Sequence, residues 1–254
     1  MSNYNINPNN FNNNRNTNLN NMQGASVANT RSLFASVFTW MFVALGITTL
    51  VTLLFANIPM FREALFNHDE FGNKTGMSVI MWICLFAPLG LVLVINFAFE
   101  RLSFAALLGL FFLYSAVNGV MFSAVIMGFT AASVVTVFAC TCALYAVMAV
   151  AGYTTKADLT KLGSILMIGL IGIVIASLIN IFLHSDSMTF IISIISVVIF
   201  TGLTAYDVQK IKELSQYNDG SATFQKLGVR GALTLYLDFI NLFLALLRIF
   251  GRRD

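Results

Sequence analysis

From Leu102 to Thr155 the sequence contains no Asp, Glu, Lys, Arg or His. One helix crosses a bilayer in about 20 residues, so an uncharged run this long has to cross, turn back and cross again. The small residues at Gly128–Ala132 mark the turn, giving spans over roughly residues 104–127 and 132–152. The rest of the chain has the same character. It is 58% hydrophobic and 10% charged, with a mean hydropathy of +0.82, whereas soluble domains carry roughly 25% charged residues.

The charges that do occur cut the chain into further spans. Ser32–Phe55 is the first and Met77–Phe99 the second, stopped by Glu100 and Arg101. After the long run comes a basic loop, GYTTKADLTKLG, then Ser164–Leu183, Thr189–Tyr206 ending at Asp207, and Gly231–Phe250. The sequence therefore predicts an all-α integral membrane protein: a seven-helix transmembrane bundle over 32–250, a disordered tail over 1–31 and a short C-terminal tail at 251–254. The N-terminal tail has asparagine at nearly every other position. Such a tract cannot bury enough apolar surface to fold.

Lys and Arg set the expected orientation. With the N-terminus in the cytoplasm, nine of the fourteen fall on the inner face, in keeping with the positive-inside rule. Arg248, Arg252 and Arg253 then fall outside. A re-entrant last segment would bring them in, and charge alone leaves both paths open. The net charge of +3 reads as loop orientation, not as affinity for nucleic acid.

Two carboxylates stand out. Asp207 closes the sixth span and Asp238 lies inside the seventh, about 10 Å of helix from Gly231. Acidic residues in spanning segments are costly and mark functional sites. On this topology both approach the inner face, where Arg101 also ends the second span. Thr234, Asp238, Asn241, Ala245 and Arg248 recur at helical spacing and predict one polar stripe facing the bundle interior; Thr204 shares a face with Asp207. Two carboxylates at close range in a low-dielectric site cannot both ionise cheaply, so such a pair shares a proton. Losing that proton leaves two like charges, to be compensated by Arg101 or by a weakly held Ca²⁺. That is a pH-sensitive gate: Asp207, Asp238 and Arg101 as sensor, with Thr204, Thr234, Asn241 and Asn118 as lining candidates. The competing reading makes Asp207 a solvated helix end and Asp238 a buried structural partner. Asn118 and Asn180 also suit helix-to-helix hydrogen bonding.

Other groups carry less. Cys84, Cys140 and Cys142 lie in apolar stretches, and Cys140 and Cys142 point about 200° apart on a helix, unsuited to a shared metal. His68 and His184 fall in loops without ligating neighbours. Gly228 and Gly231 are expected to permit a bend into the last helix. The chain shows no H-E-x-x-H, G-x-S-x-G or Gly-rich phosphate loop. The second aspartate reads Tyr236-Leu237-Asp238, not the G-x-G-D of presenilin-type proteases. No enzyme activity and no resident cofactor are expected.

AGYTTKADLTKLG, TGLTAYDVQKIK and LTLYLDFINLFLALLRIFG resemble the Bax inhibitor-1, or transmembrane Bax inhibitor motif, family, its bacterial branch in particular. The resemblance covers about Arg31 to Gly251. It implies a seven-helix bundle with a central last helix, acting as a pH-sensitive calcium leak. The proton-sharing aspartates fall on Asp207 and Asp238, and a contacting Arg falls on Arg101. The Glu that bacterial members can carry in the second span is missing from ICLFAPLGLVLVINF. The family also includes a member that restrains a membrane-anchored AAA protease. A non-conducting regulator that binds such a protease or a stress-response partner is therefore the second expectation. The partners expected are the lipid bilayer, Ca²⁺ and H⁺, and the site a bacterial inner membrane.

Overall fold

The computed structural model describes residues 8–68, 74–217 and 221–253; side chains are described from Ser32, those of His68 and Lys74 excepted. Helix α1 runs Pro8–Asn57, and its apolar part is Ser32–Asn57. Residues 1–7 and the side chains of 8–31 lie outside the described residues; over 8–31, where the sequence predicts a disordered tail, the backbone is the first part of α1. A short helix α2 (Pro59–Glu63) and an antiparallel hairpin, β1 (Phe66–His68) with β2 (Lys74–Met77), cap the first connection. Then follow α3 (Val79–Phe97), α4 (Phe104–Ile126), α5 (Ala131–Thr154), α6 (Thr160–Leu183), α7 (Asp186–Ser215) and α8 (Ala222–Phe250). With the apolar part of α1, these make seven helices long and apolar enough to cross a membrane.

The helix starts follow from local chemistry. Ser78, Ser103, Thr130, Ser185 and Ser221 each accept a backbone N–H three residues on, satisfying one of the donors a first turn leaves free. The long uncharged run turns at 127–130, as the small residues there predict.

The last two helices are longer than their apolar spans. α7 continues past Asp207 through Lys210, Lys212 and Glu213, and α8 begins well before Gly231. Charge marks where an apolar segment ends, but nothing in Lys or Glu stops a helix. Gly228 and Gly231, expected at the entry to the last helix, lie inside α8 and are buried. A Cβ at Gly231 would meet Val37 and Ile211 at 3.3 Å, so glycine there brings α8 close to α1 and α7.

Helix α8 crosses the whole bundle. Near its start, Arg230 lies over the Phe99 ring in the α3–α4 turn, 5.5 Å from its centroid. Just past its end, the Thr130 N–H donates to the Arg252 carbonyl at 2.9 Å, and the Arg252 N–H donates to Ser133 Oγ at 2.8 Å. Those contacts lie at opposite ends of α4, which resolves the path that charge left open: the last segment crosses and does not re-enter. Helix α8 is also the core of the bundle, in contact with α1, α4, α5 and α7.

Candidate functional site

Asp207 and Asp238 meet. Helices α7 and α8 lie side by side, and the two carboxyl groups are in hydrogen-bond contact. Asp238 is 4% exposed, and Asp207 is half-buried. Oδ2 of Asp238 is enclosed and, among the described residues, receives no hydrogen bond from an N–H or O–H group. A buried carboxylate oxygen without a donor is costly. A proton on the pair lowers that cost, since a neutral carboxyl group is cheaper to bury and one can then donate to the other. The lone pair of carboxylates supplies only part of the six to eight oxygens that Ca²⁺ takes. Among the described residues no group of three or more His, Cys, Asp or Glu is placed to hold a metal.

Two further ionisable groups act on the pair, Tyr145 and Lys210. Tyr145 of α5 is buried within electrostatic reach of both carboxyl groups. Its hydroxyl donates to the Leu235 carbonyl at 3.3 Å, and its ring meets Phe239 edge-on at 5.4 Å. Lys210, one turn along α7, is the cation acting on Asp207. Tyr236, fully buried two residues before Asp238, shares a hydrogen bond of 2.7 Å with Thr48 Oγ1. Thr48 Oγ1 also lies 2.9 Å from the Ser115 carbonyl, which ties α8, α1 and α4 together at one point.

Arg101 does not join this site. It is exposed in the turn after α3, at the mouth of a shallow cleft of about 520 Å³ that it lines with Leu93, Val94, Phe97 and Ala98. No ion pair links it to either aspartate among the described residues. The reason is architectural: α3 packs on α4 and leaves α7 and α8 to other neighbours, so the end of the second span stands apart from the pair.

The predicted polar stripe of α8 also divides. Asp238 and Ala245 are buried, but Thr234, Asn241 and Arg248 fall on the least buried seam of the helix, with Arg230, Leu237 and Leu244. A helix packed on four neighbours buries nearly its whole circumference, so spacing alone does not tell the site-facing side from the seam. Each lining candidate also spends its donor on its own helix. Thr204, Asn118, Asn241 and Thr234 donate to the carbonyls of Phe200, Tyr114, Leu237 and Arg230, four residues back, at 2.7 to 3.1 Å. Asn118 and Thr204 are buried in the bundle. Asn180 instead holds the α6–α7 turn, donating to Thr189 Oγ1 at 2.7 Å and accepting from the Ser185 N–H at 3.1 Å.

Sequence reasoning passed over Tyr145, which stands beside the pair, and the Tyr236–Thr48 contact that ties three helices together. The signal was present: Thr48 and Thr52 on α1 repeat at the spacing of Ser115 and Gly119 on α4, and each threonine bonds the matching carbonyl, Thr52 to Gly119 at 2.9 Å. The three cysteines are free; Cys84 is buried, and Cys140 and Cys142 are exposed on α5. His184 is exposed in the α6–α7 turn, in the left-handed region at φ 50°.

The chain is similar to known proteins over most of its length. The family model described as "Inhibitor of apoptosis-promoting Bax1" matches residues 30–254. The chain is 41% identical over 228 residues to the inner membrane protein YbhL of Escherichia coli K12, covering 89% of this chain and 94% of that one. An uncharacterized protein of Borreliella burgdorferi is 43% identical over 204 residues, 78% of this chain and 88% of its own. An uncharacterized membrane protein of Streptococcus pyogenes is 38% identical over 223 residues, 87% and 93% of the two chains.

Proposed function

Because this multi-pass membrane protein belongs to the Bax inhibitor-1 family, we propose that it conducts a proton-gated leak of Ca²⁺, with Asp207 and Asp238 as the gate. The reading rests above all on the buried contact between the two carboxyl groups, made where neighbouring helices α7 and α8 meet. With one proton between them the pair is a closed clasp that holds α7 to α8. Without it, two like charges face each other in a site of low dielectric, where repulsion is strong. The helices then part, or a cation enters to compensate. Lys210 rather than Arg101 is the protein's own cation at this end. The passing ion is cargo, held weakly, since two carboxylates are a poor Ca²⁺ cage.

The membrane is a bacterial inner membrane and the N-terminus is cytoplasmic in this reading. The face bearing the α3–α4, α5–α6 and α7–α8 connections is then the inner one, where most Lys and Arg collect. The gate lies toward that face and senses cytoplasmic pH.

The test is Ca²⁺ flux into liposomes holding the purified protein, between about pH 6 and 8, with wild type beside Asp207→Asn and Asp238→Asn. A leak that varies with pH, and that both substitutions flatten, is the expected result. Folded protein that passes no Ca²⁺ at any pH would sink the channel and leave the regulator, bound to a membrane-anchored AAA protease or a stress-response partner.

A further inference from the structure

The connection between α5 and α6 is fastened to the stretch of α7 that carries Asp207. Gln209, two residues on and 8% exposed, uses both ends of its amide on the backbone of that connection. Nε2 donates to the Ala157 carbonyl at 2.8 Å, and Oε1 accepts the Leu159 N–H at 2.9 Å. These backbone groups lie outside any helix, and Leu159, the N-cap residue of α6, makes no side-chain cap. Backbone polar groups outside a helix lack the partners a helix supplies, and Gln209 supplies two at this half-buried junction. One helical turn further, Lys212 Nζ donates to the Tyr153 carbonyl at the end of α5, at 2.6 Å.

Two glycines make the fastening close. A Cβ at Gly152, in the last turn of α5, would collide with the Ala205 backbone; one at Gly163, in the first turn of α6, would lie 2.6 Å from the Tyr206 ring. Ala205, Tyr206, Gln209 and Lys212 thus seat one stretch of α7 against one hairpin, and Asp207 stands in the middle of it. The other carboxyl group has a different anchor: α8 meets the α3–α4 turn through Lys226 and Arg230, both over the Phe99 ring. The two halves of the pair are held by different connections.

We infer that Gln209 is a positioning residue for the Asp207–Asp238 pair, fixing the height and rotation of Asp207 through its two bonds to the 155–159 connection. The inference rests on the reading of the pair as a proton-sharing gate. A bidentate amide tolerates little sliding, and a shared proton needs its two oxygens within hydrogen-bond distance, so loosening the first disturbs the second. The other ionisable groups facing the pair are Tyr145 from α5 and Lys210 on α7 itself. Neither the span of α1 nor α4 carries a charged side chain, and α6 carries only Lys161, in its first turn. On α8 the neighbours are Tyr236, and Arg230 two turns earlier.

The test reads the proton without relying on flux. Infrared titration of the full-length protein in lipid follows the carbonyl band of the protonated carboxyl group, assigned by its loss in Asp238→Asn. Gln209→Met keeps the side chain's length and removes both hydrogen bonds; Gln209→Asn, one methylene shorter, is the milder variant should Met reduce the yield of folded protein. The expected result is a wild-type band that titrates, and a midpoint displaced by about half a pH unit or more in either variant. A titrating wild-type band whose midpoint neither variant moves overturns the positioning role alone. A wild-type band that does not titrate overturns the gate reading, and this inference with it.

Discussion

Helices α6 and α8 are both long enough to cross a bilayer, yet the bundle uses them in opposite ways. α6 is the more hydropathic, at 2.7 against 1.8, but 6% of its most apolar stretch is buried in the protein, against 67% for α8. In water the order would be reversed, because the most apolar element would fill the core. In a bilayer lipid tails solvate Ile and Leu as well as other side chains do, so an apolar helix gains little by moving inward. What must be enclosed is the polar minority, and α8 carries Asp238 and Tyr236. The exposed Ile165, Ile168, Ile171 and Phe182 of α6 are its lipid face.

If that contrast is right, substitutions of one kind should behave differently on the two sides. The largest difference is expected between glycines. Gly152→Leu drives a side chain into the backbone of α7, which cannot rotate away, and should abolish the yield of monodisperse protein in detergent. Overpacking ordinarily costs about 1–3 kcal/mol, more against backbone. Gly172→Leu on α6 meets nothing within 4 Å and should purify like wild type.

The next contrast is in side-chain truncation. Tyr236→Ala empties a fully buried site between α1, α4 and α8 and should lower stability by about 3–5 kcal/mol. Tyr236→Phe gives up the hydroxyl and its bond to Thr48, which keeps its carbonyl acceptors, for about 1 kcal/mol. Ile171→Ala, lipid-facing on α6, should stay within about 0.5 kcal/mol. Thermal melts monitored by size-exclusion fluorescence would rank the three, and a cost for Ile171→Ala equal to that of Tyr236→Ala would break the comparison.

The smallest effect belongs to the surface. Asp158 Oδ1 accepts the Thr160 N–H at 2.8 Å, and its hydrogen bonds to Thr160 hold its carboxyl below the usual carboxylate range. A depressed folded-state value stabilises above the unfolded one, and that contribution is lost as pH falls through the folded value. Asp158→Asn should therefore lower the melting temperature slightly near neutrality, with the difference from wild type vanishing in acid. The group is fully exposed, so the effect is small.

What was legible in the sequence follows the same division. Uncharged runs gave the seven spans and the turn at 127–130, because length and charge are what a bilayer reads. Asp207 and Asp238 were legible because a carboxylate in a span is rare enough to need a reason. Arg101 misled for a complementary reason. Depth along the membrane follows from topology, but which helices neighbour one another does not, and α3 turned out to pack chiefly on α4. The stripe on α8 failed similarly, since periodicity finds a face without saying what it faces. Gln209 lay beyond reach because it works on backbone groups some fifty positions away.

The central claim is that the two carboxyl groups hold one proton that a cation can replace. Linkage makes this measurable: if Ca²⁺ takes the proton's place, adding Ca²⁺ to weakly buffered protein must release protons. The direct measurement is proton release on Ca²⁺ addition, wild type beside Asp238→Asn, across the pH range of the leak. The account predicts a release from wild type that grows as the pair becomes protonated and is absent from the variant. No release from wild type, or equal release from both, would contradict it.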